Sequence, residues 1–288
     1  MGTNTKIYEM ITGKILSLMD DGVIPWQASW TGGGFPTNLI SGKRYRGVNV
    51  FILAGAGYTS NYWMTYRQAV EAGGSVRKGE KGTQIIFWRF LEKEEVNRDT
   101  GKAEIRCIPL LRYYTVFNLN QTEGINDPDE EDSPENNFEP IEKAEVIFNS
   151  MPGRPQIEWG RRPCYSPSLD VVGLPELEKF VSSERFYKTA FHELTHSTGH
   201  SCRLNRSSIM GCNEFGSHEY SKEELIAEFG ASFLCAEAGI VQPVIENAAA
   251  YIDGWAKVFQ KDRKIIIHAA AAAQKAADYI LGSREMEK

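Results

Sequence analysis

The sequence has few of the features that mark secreted or membrane proteins. Its 288 residues include only five cysteines, an odd number, and no two of them form a CxxC pair. Such scattered cysteines argue against a disulfide framework and for free thiols in a reducing compartment. The longest apolar stretches are much shorter than a membrane span, and the first residues lack the apolar segment of a signal peptide. We therefore expect a cytoplasmic protein that does not bind membranes.

Acidic residues are sparse at the front of the chain and concentrated in one segment. Residues 1–122 carry 15 Lys and Arg against 10 Asp and Glu, whereas residues 123–145 carry one Lys against 10 acidic residues. The acidic segment is also rich in Pro and Asn, so it cannot bury enough apolar surface to order itself. The sequence thus predicts two domains, residues 1–122 and 146–288, joined by an acidic flexible linker at residues 123–145.

The front domain is expected to mix helices and strands. Apolar spacing predicts a helix over residues 6–19 and a shorter one over residues 65–73. Residues 83–91 and 106–118 are rich in β-branched and aromatic side chains, which favours two strands around a long polar hairpin. Residues 48–54 are apolar throughout and fit either a helix or a strand.

The back domain is expected to be mainly helical. One helix is predicted from Ser183 through His196, and Ser221 is predicted to open another. An Ala-rich stretch, residues 248–281, reads as one or two helices interrupted by Gly254. The predicted fold class is α+β, a mixed front domain followed by a mainly helical one.

A short motif in the back domain carries the clearest chemical signal. Residues 191–196 read FHELTH, and positions four apart share a helical face, so His192 and His196 can offer two imidazoles to one ion. In this HExxH arrangement the Glu, here Glu193, serves as general base towards a metal-bound water. A chance match on a helix is disfavoured by the apolar neighbours of the motif. The motif predicts a zinc-peptidase-type site with Glu193 as the catalytic residue.

A catalytic zinc needs a third protein ligand, which the sequence offers in two ways. In the pattern HExxHxxGxxH, Gly199 fits but Cys202 stands where the last His belongs. The stretch EELIAE, residues 223–228, instead supplies Glu224 and Glu228, four apart on one helical face. We assign Glu224 as the third ligand and Glu228 as the acceptor that orients one histidine, with the opposite assignment left open.

Peptide hydrolysis also needs a donor to the developing oxyanion. Tyr220 and His218 are candidates because they lie near the motif in sequence, as does His200, and each is equally well explained as a surface residue. Arg203 and Arg206 are interpreted either as a clamp for a substrate anion or as plain surface arginines.

Aromatic and basic residues are interleaved in the front domain, which holds 16 of the 32 aromatic residues. Aromatic faces beside a positive groove suit single-stranded nucleic acid bound without sequence reading. The plainer interpretation is that most of these aromatics form the core. The candidates for DNA contact are Trp26, Trp30, Arg44, Arg46, Trp63, Tyr66, Arg77, Lys78 and Lys81.

The order of motifs along the chain resembles that of ArdC-type antirestriction proteins of conjugative plasmids and phages. The front carries IPWQASW (24–30) and VRKGEKGT (76–83), and the back carries FYKTAFHELTHSTGH (186–200) and FGSHEYSKEELIAEFGASFL (215–234). The front also resembles the corresponding part of plasmid primases of the TraC kind.

This resemblance implies an N-terminal module that binds single-stranded DNA and a C-terminal zincin-like metallopeptidase. It also implies that incoming plasmid DNA is protected from host restriction in the cytoplasm. The metal site of the family maps onto His192, Glu193, His196 and Glu224 as they stand in this chain.

The expected cofactor is Zn²⁺, with Mn²⁺ or another divalent ion as the alternative. The expected partners are single-stranded DNA and an unidentified protein or peptide substrate. Two other functions stay open: a non-enzymatic DNA-binding shield with a structural metal, and a regulatory metallopeptidase that cleaves a host protein.

Overall fold

The computed structural model describes residues 3–27, 34–96, 103–128, 140–210, 217–241 and 248–283. Of residues 89–96 and 103–109 it describes the backbone alone. These segments form an α+β fold, in which a mixed front half is followed by a mainly helical back half, as the sequence predicts.

The described part of the front half contains three helices and six strands. Residues 48–54, which the sequence left undecided, form a helix, and the predicted helices and strands are present. The elements are α1 (Thr3–Asp20), β1 (Thr37–Asn38), α2 (Val48–Ala54), β2 (Tyr62–Met64), α3 (Tyr66–Glu71), β3 (Ser75–Val76), β4 (Thr83–Val96), β5 (Ala103–Asn118) and β6 (Thr122–Glu123).

A long antiparallel ribbon dominates this half. Strands β4 and β5 pair from Thr83 with Val116 to Val96 with Ala103, so the ladder extends into the residues predicted to form a polar hairpin. The ribbon joins the short strands in a sheet of order β1-β2-β5-β4, and β3 pairs separately with β6. Successive side chains along a strand point to opposite faces, so the ribbon has two distinct surfaces.

The back half consists of helices around a small sheet of order β7-β9-β8, which the sequence analysis missed because the strands are only three or four residues long. Strand β8 lies at the edge of this sheet, antiparallel to β9. The elements are α4 (Pro140–Ser150), β7 (Gln156–Trp159), β8 (Cys164–Ser166), β9 (Val171–Leu174), α5 (Ser183–Ser197), α6 (Ser207–Met210), α7 (His218–Ala238), α8 (Ala248–Lys261) and α9 (Ile265–Ile280).

Two predicted helix boundaries are wrong. Helix α7 begins at His218 rather than Ser221, because the Ser217 hydroxyl accepts a hydrogen bond from the Tyr220 N–H at 3.2 Å and caps the helix three residues earlier. Gly254 lies inside α8 rather than at a break, and the chain turns only after Lys261. A single glycine weakens a helix without ending it when one face of the helix is packed.

The predicted acidic linker differs from the structure at both ends. Glu123 belongs to strand β6, and α4 begins at Pro140 with Ala144 fully buried. The middle of the predicted linker, residues 129–139, lies outside the described residues.

One hydrophobic core joins the two halves of the chain. The Trp26 ring lies 5.1 Å from the Phe229 ring and 5.9 Å from the Phe259 ring, measured between centroids. Phe51 of α2 stacks on Phe233 of α7 at 4.9 Å. The predicted domains are therefore packed against each other through large aromatic side chains.

Among the described helices, none has the length and apolar character needed to cross a lipid bilayer.

Candidate functional site

Helix α5 brings the two motif histidines together. Its first turn is capped by Ser182, whose hydroxyl accepts a hydrogen bond from the Arg185 N–H at 3.3 Å. One turn separates His192 from His196, and their Nε2 atoms lie 3.2 Å apart. The predicted helical spacing therefore does bring both imidazoles to one point.

Helix α7 supplies a third side chain that could bind a metal ion at the same point. Glu224 places one carboxylate oxygen 3.5 Å from the His192 Nε2 and the other 3.6 Å from the His196 Nε2. The close approach of the helices depends on Gly230, where a β-carbon would lie 2.5 Å from the Thr195 side chain. The three donor side chains form a compact His₂Glu cluster.

The cluster fits a divalent metal ion in both spacing and charge. Two atoms bound about 2.1 Å from one zinc ion at the tetrahedral angle lie about 3.4 Å apart, close to the three separations of the cluster. Burial lowers the pKa of the His192 imidazole, but hydrogen bonds to Glu224 and Glu228 and the charges of Glu228 and Glu193 outweigh it and raise that pKa to about 10. The surroundings thus favour a positive charge at this point.

Glu193 lies beside the cluster as a buried carboxyl, 7% exposed. Burial raises its pKa above the usual range, and the positive charge of His192 and His196 opposes that effect. The backbone N–H of Tyr165 in edge strand β8 donates a hydrogen bond to this carboxylate. A carboxyl with a raised pKa is suited to accept and return a proton near neutral pH.

A set of polar groups fixes the side of His192 that faces away from the cluster. Its Nδ1 lies 3.7 Å from Glu228, the residue predicted to orient a histidine. Glu228 in turn accepts hydrogen bonds from Gln27 at 3.0 Å and Tyr251 at 3.1 Å, and it lies 3.5 Å from the Lys188 amine. Gln27 belongs to the front half, so both halves of the chain contribute to this centre.

His196 has a corresponding partner that sequence reasoning missed. Its Nδ1 lies 3.3 Å from Glu223, which accepts hydrogen bonds from Arg206 at 2.6 Å and from the Ser208 hydroxyl at 2.5 Å. Burial raises the pKa of Glu223, but the hydrogen bonds from His196 and Arg206 outweigh it and lower that pKa to about 2. The available signal was the adjacent pair of glutamates at the start of EELIAE.

Arg203 and Arg206 are neither surface residues nor a substrate clamp. The Arg203 side chain is 2% exposed and is bound to Asp170 and to the Ser197 carbonyl oxygen. Arg206 also donates to the Thr195 carbonyl oxygen at 2.9 Å. Both guanidinium groups hold the turn that follows α5, because they satisfy carbonyl oxygens at the end of that helix.

The two predicted oxyanion donors have different surroundings. The Tyr220 hydroxyl is hydrogen-bonded to the Glu224 carboxylate, so it lies at the edge of the cluster. The His218 ring faces Asp262 at 3.1 Å and Glu219 at 3.5 Å, neither of which belongs to the cluster. This geometry excludes His218 as a hydrogen-bond donor to the cluster as it stands and keeps Tyr220 as a candidate, while the Nδ1 of His200, the third residue considered, faces the Cys202 sulfur.

Two predicted DNA contacts are wrong because their side chains belong to the core. Trp26 is 0% exposed and Trp63 is 1% exposed, so neither ring can offer a face to a base in the folded protein. Trp30 lies outside the described residues. For these two rings the plainer interpretation, that the aromatics of the front half form the core, is the correct one.

The remaining predicted DNA contacts are at the surface in two groups. Arg44 and Arg46 line a cleft and form ion pairs with Glu237 and Asp278 of the back half. The others lie around α3 and the turn before β4, where Arg77 bonds with the Asn120 carbonyl oxygen. These others are Tyr66, Arg77, Lys78 and Lys81, all of them exposed.

The cleft has a volume of about 1370 Å³ and lies between the β4–β5 ribbon and helices α2 and α9. Phe87 is paired with Arg112 across the ribbon, and Tyr114 lies on the same face with its ring 5.6 Å from the Phe87 ring. The basic and aromatic residues in the lining are Lys43, Arg44, Tyr45, Arg46, Phe87, Trp88, Arg112, Tyr114, Lys275 and Tyr279. Sequence reasoning did not select Phe87, Arg112 or Tyr114 as DNA contacts.

Comparison with known proteins identifies both halves. Residues 5–117 match the family described as the N-terminal domain of anti-restriction factor ArdC, and residues 142–272 match the zincin-like metallopeptidases. The DNA primase TraC of Escherichia coli is 35% identical over 97% of this chain, and the chain spans only 20% of the length of that primase. The protein y4eC of Sinorhizobium fredii is 33% identical over 96% of this chain and 92% of its own length.

Solved structures agree with these matches. The metal-free crystal structure of antirestriction protein ArdC from plasmid R388 has a TM-score of 0.72 and 34% identity, and covers 98% of this chain and 99% of that one. The Mn(II)-bound structure of the same protein has a TM-score of 0.73 and 32% identity over 97% of this chain. The chain therefore belongs to the ArdC family of antirestriction proteins, with an ArdC-type N-terminal domain followed by a zincin-like metallopeptidase domain.

Proposed function

We propose that this chain protects incoming DNA from restriction by binding single strands in its front half and hydrolysing a peptide bond in its back half. The peptidase half rests on one observation: His192, His196 and Glu224 meet at a single point with the buried carboxyl of Glu193 beside them. A purely structural metal would not need a buried general base at that position.

His192, His196 and Glu224 would hold the divalent ion. When bound, such an ion supplies Lewis acidity that lowers the pKa of a water molecule to about 7. Glu193 would take a proton from the attacking water and later deliver it to the leaving amine, so its carboxylate is restored at the end of each turnover. Tyr220 would donate a hydrogen bond to the developing oxyanion.

The matched pair Glu193→Ala and Glu219→Ala tests this role. Glu219 is an exposed carboxylate that pairs with His218 rather than with the cluster. With unfolded casein as the probe, Glu193→Ala should retain the metal ion of the His192 cluster and lose cleavage by at least about 100-fold, while Glu219→Ala should cleave normally. Cleavage that survives in the Glu193 variant would contradict the assignment of Glu193 as the base.

The ion itself is proposed to be zinc, since a His₂Glu donor set suits it. The manganese in the ArdC structure from plasmid R388 belongs to that protein and makes Mn²⁺ the alternative here. Mass spectrometry of the purified chain beside His192→Ala and Glu224→Ala measures the ion directly, and retention of the ion by Glu224→Ala would refute Glu224 as a ligand.

The DNA half rests on the cleft beside the ribbon. Arg112 supplies a positive charge next to the rings of Phe87 and Tyr114, which are 46% and 47% exposed. The two rings would stack on bases, and Arg112 would pair with a neighbouring phosphate. Such stacking contributes about 1–3 kcal/mol per base. This combination favours single strands, because the bases of a duplex have no free faces.

Neighbouring tyrosines provide a matched test of the cleft. Tyr114 lines the cleft with Phe87 and Arg112, whereas the neighbouring Tyr113 is 55% exposed and alternates to the other face of the ribbon. Fluorescence anisotropy with an oligothymidine should show about 5- to 150-fold weaker binding for Tyr114→Ala and little change for Tyr113→Ala. Equal effects, or equal binding of duplex and single strand, would count against the cleft.

Transfer of an unmethylated plasmid into a restricting host separates the proposed function from the DNA-binding shield. Protection that requires both Tyr114 and Glu193 supports a peptidase guided by DNA. Protection that persists in Glu193→Ala and fails in Tyr114→Ala would establish the shield instead.

A further inference from the structure

A second group of side chains of the types that bind metals lies where the turn after α5 meets the residue before β9. His200 and Cys202 face each other with 3.0 Å between the imidazole Nδ1 and the thiol sulfur. The Asp170 carboxylate, in the turn immediately before β9, completes a set whose ligand atoms all lie within 4.8 Å of one another. None of these residues belongs to the His192 cluster.

The backbone holds this arrangement in place. The Arg203 and Asn205 N–H groups both donate to the His200 carbonyl oxygen at 3.0 Å, and the Cys202 N–H donates to the His200 Nδ1 at 3.4 Å. Asp170 has a positive φ of 50° and is fixed by the buried Arg203 guanidinium. A closed turn thus presents His200 and Cys202, and Arg203 holds Asp170 beside them.

We propose that His200, Cys202 and Asp170 form a second metal site, selective for thiophilic divalent ions such as Zn²⁺, Co²⁺ or Cd²⁺. Sulfur and imidazole donors favour these ions over Mg²⁺, Ca²⁺ and Mn²⁺, which prefer oxygen. Binding removes the thiol proton to solvent and forms the metal–sulfur and metal–nitrogen bonds. The donors need to open from 3.0 Å to about 3.6 Å to hold zinc, a small movement for an exposed cysteine.

The site is expected to bind more weakly than the His192 cluster. Asp170 already accepts two hydrogen bonds from Arg203 and one from the Tyr165 hydroxyl, which leaves about one of its four lone-pair positions for an ion. The Arg203 charge also repels a cation. Three protein ligands with water in the fourth coordination position are typical of an open metal site, whereas structural sites have four protein ligands.

Cobalt titration of the full-length metal-free protein tests the proposal, because a thiolate bound to cobalt gives a charge-transfer band in the near ultraviolet. We expect two equivalents to bind, with the band appearing on the second. Cys202→Ser should abolish the band and one equivalent, and His192→Ala should lose the other equivalent and keep the band. Cys164→Ser, at another exposed cysteine, should keep both.

Two results would overturn the second site. One is a wild-type protein that binds a single equivalent without the band, and the other is a band that persists in Cys202→Ser. Because Cys202 is exposed, its serine variant is expected to fold, and circular dichroism spectra that overlay those of the wild type check this. The test requires no peptidase activity, so it stays independent of the proposed function.

Discussion

Glu228→Gln tests whether the outer carboxylates prepare the histidines for a metal ion. In the wild type, Glu228 faces the Nδ1 of His192, while the Nε2 of the same ring faces His196 and Glu224. A carboxylate at Nδ1 accepts the ring proton and leaves the Nε2 lone pair free for the metal. A glutamine amide in the same place can donate to Nδ1 and so favours the proton on Nε2, where it blocks the ligand atom.

Loss of such an outer partner weakens metal binding by about 10- to 100-fold, or roughly 1.4–2.7 kcal/mol. Competition against a chelator of known affinity measures the change, with Glu237→Gln as the control because Glu237 lies in the same helix and pairs with Arg44. Unchanged affinity in Glu228→Gln would refute the orienting role. A loss as complete as that of His192→Ala would mean that Glu228 is itself a ligand.

Three further predictions concern the shared aromatic core, the cleft beside the ribbon, and Glu223, the partner of His196. Trp26→Ala should lower the free energy of unfolding by about 3–5 kcal/mol in urea titrations, in a single transition that includes both halves, and two separate transitions would contradict the shared core. Arg112→Ala should reduce the slope of log affinity for single-stranded DNA against log salt by about 0.7, and an unchanged slope would remove Arg112 from the phosphate contacts. Because the pKa of Glu223 is lowered from 4.5 to about 2, its bonds stabilise the fold fully above pH 4.5 and are lost as the pH falls through 2. The difference in unfolding free energy between metal-free wild type and Glu223→Gln should therefore shrink over that interval, and a constant difference would contradict the ionised pair.

Local periodicity accounts for what the sequence predicted well. The spacing of His192 and His196, and of Glu224 and Glu228, is a property of one helix each, so a regular helix is enough to align them. The convergence of α5 and α7 depends on Gly230 fitting against Thr195, a contact between residues far apart in sequence. That convergence was inferred from the need of a catalytic zinc for a third ligand, and the resemblance to the family then pointed to the same glutamate.

The errors concern contacts that no local pattern encodes. Composition does not distinguish a core tryptophan from an exposed one, so Trp26 and Trp63 were wrongly predicted to contact DNA. Glu223 was missed because its role requires Arg206 and Ser208, which the turn after α5 and helix α6 bring to it. The contact from Gln27 to Glu228 joins residues 201 positions apart.

The aromatic core shared by Trp26, Phe51 and Phe229 limits how this chain can be divided by recombination. A break in the acidic segment would separate two halves that each expose large rings, and neither product would be expected to stay soluble. We therefore expect recombination to give a folded protein only when both halves are transferred together. The match to TraC includes 97% of this chain and 20% of the primase, so the segment of that longer protein that resembles this chain contains both halves together.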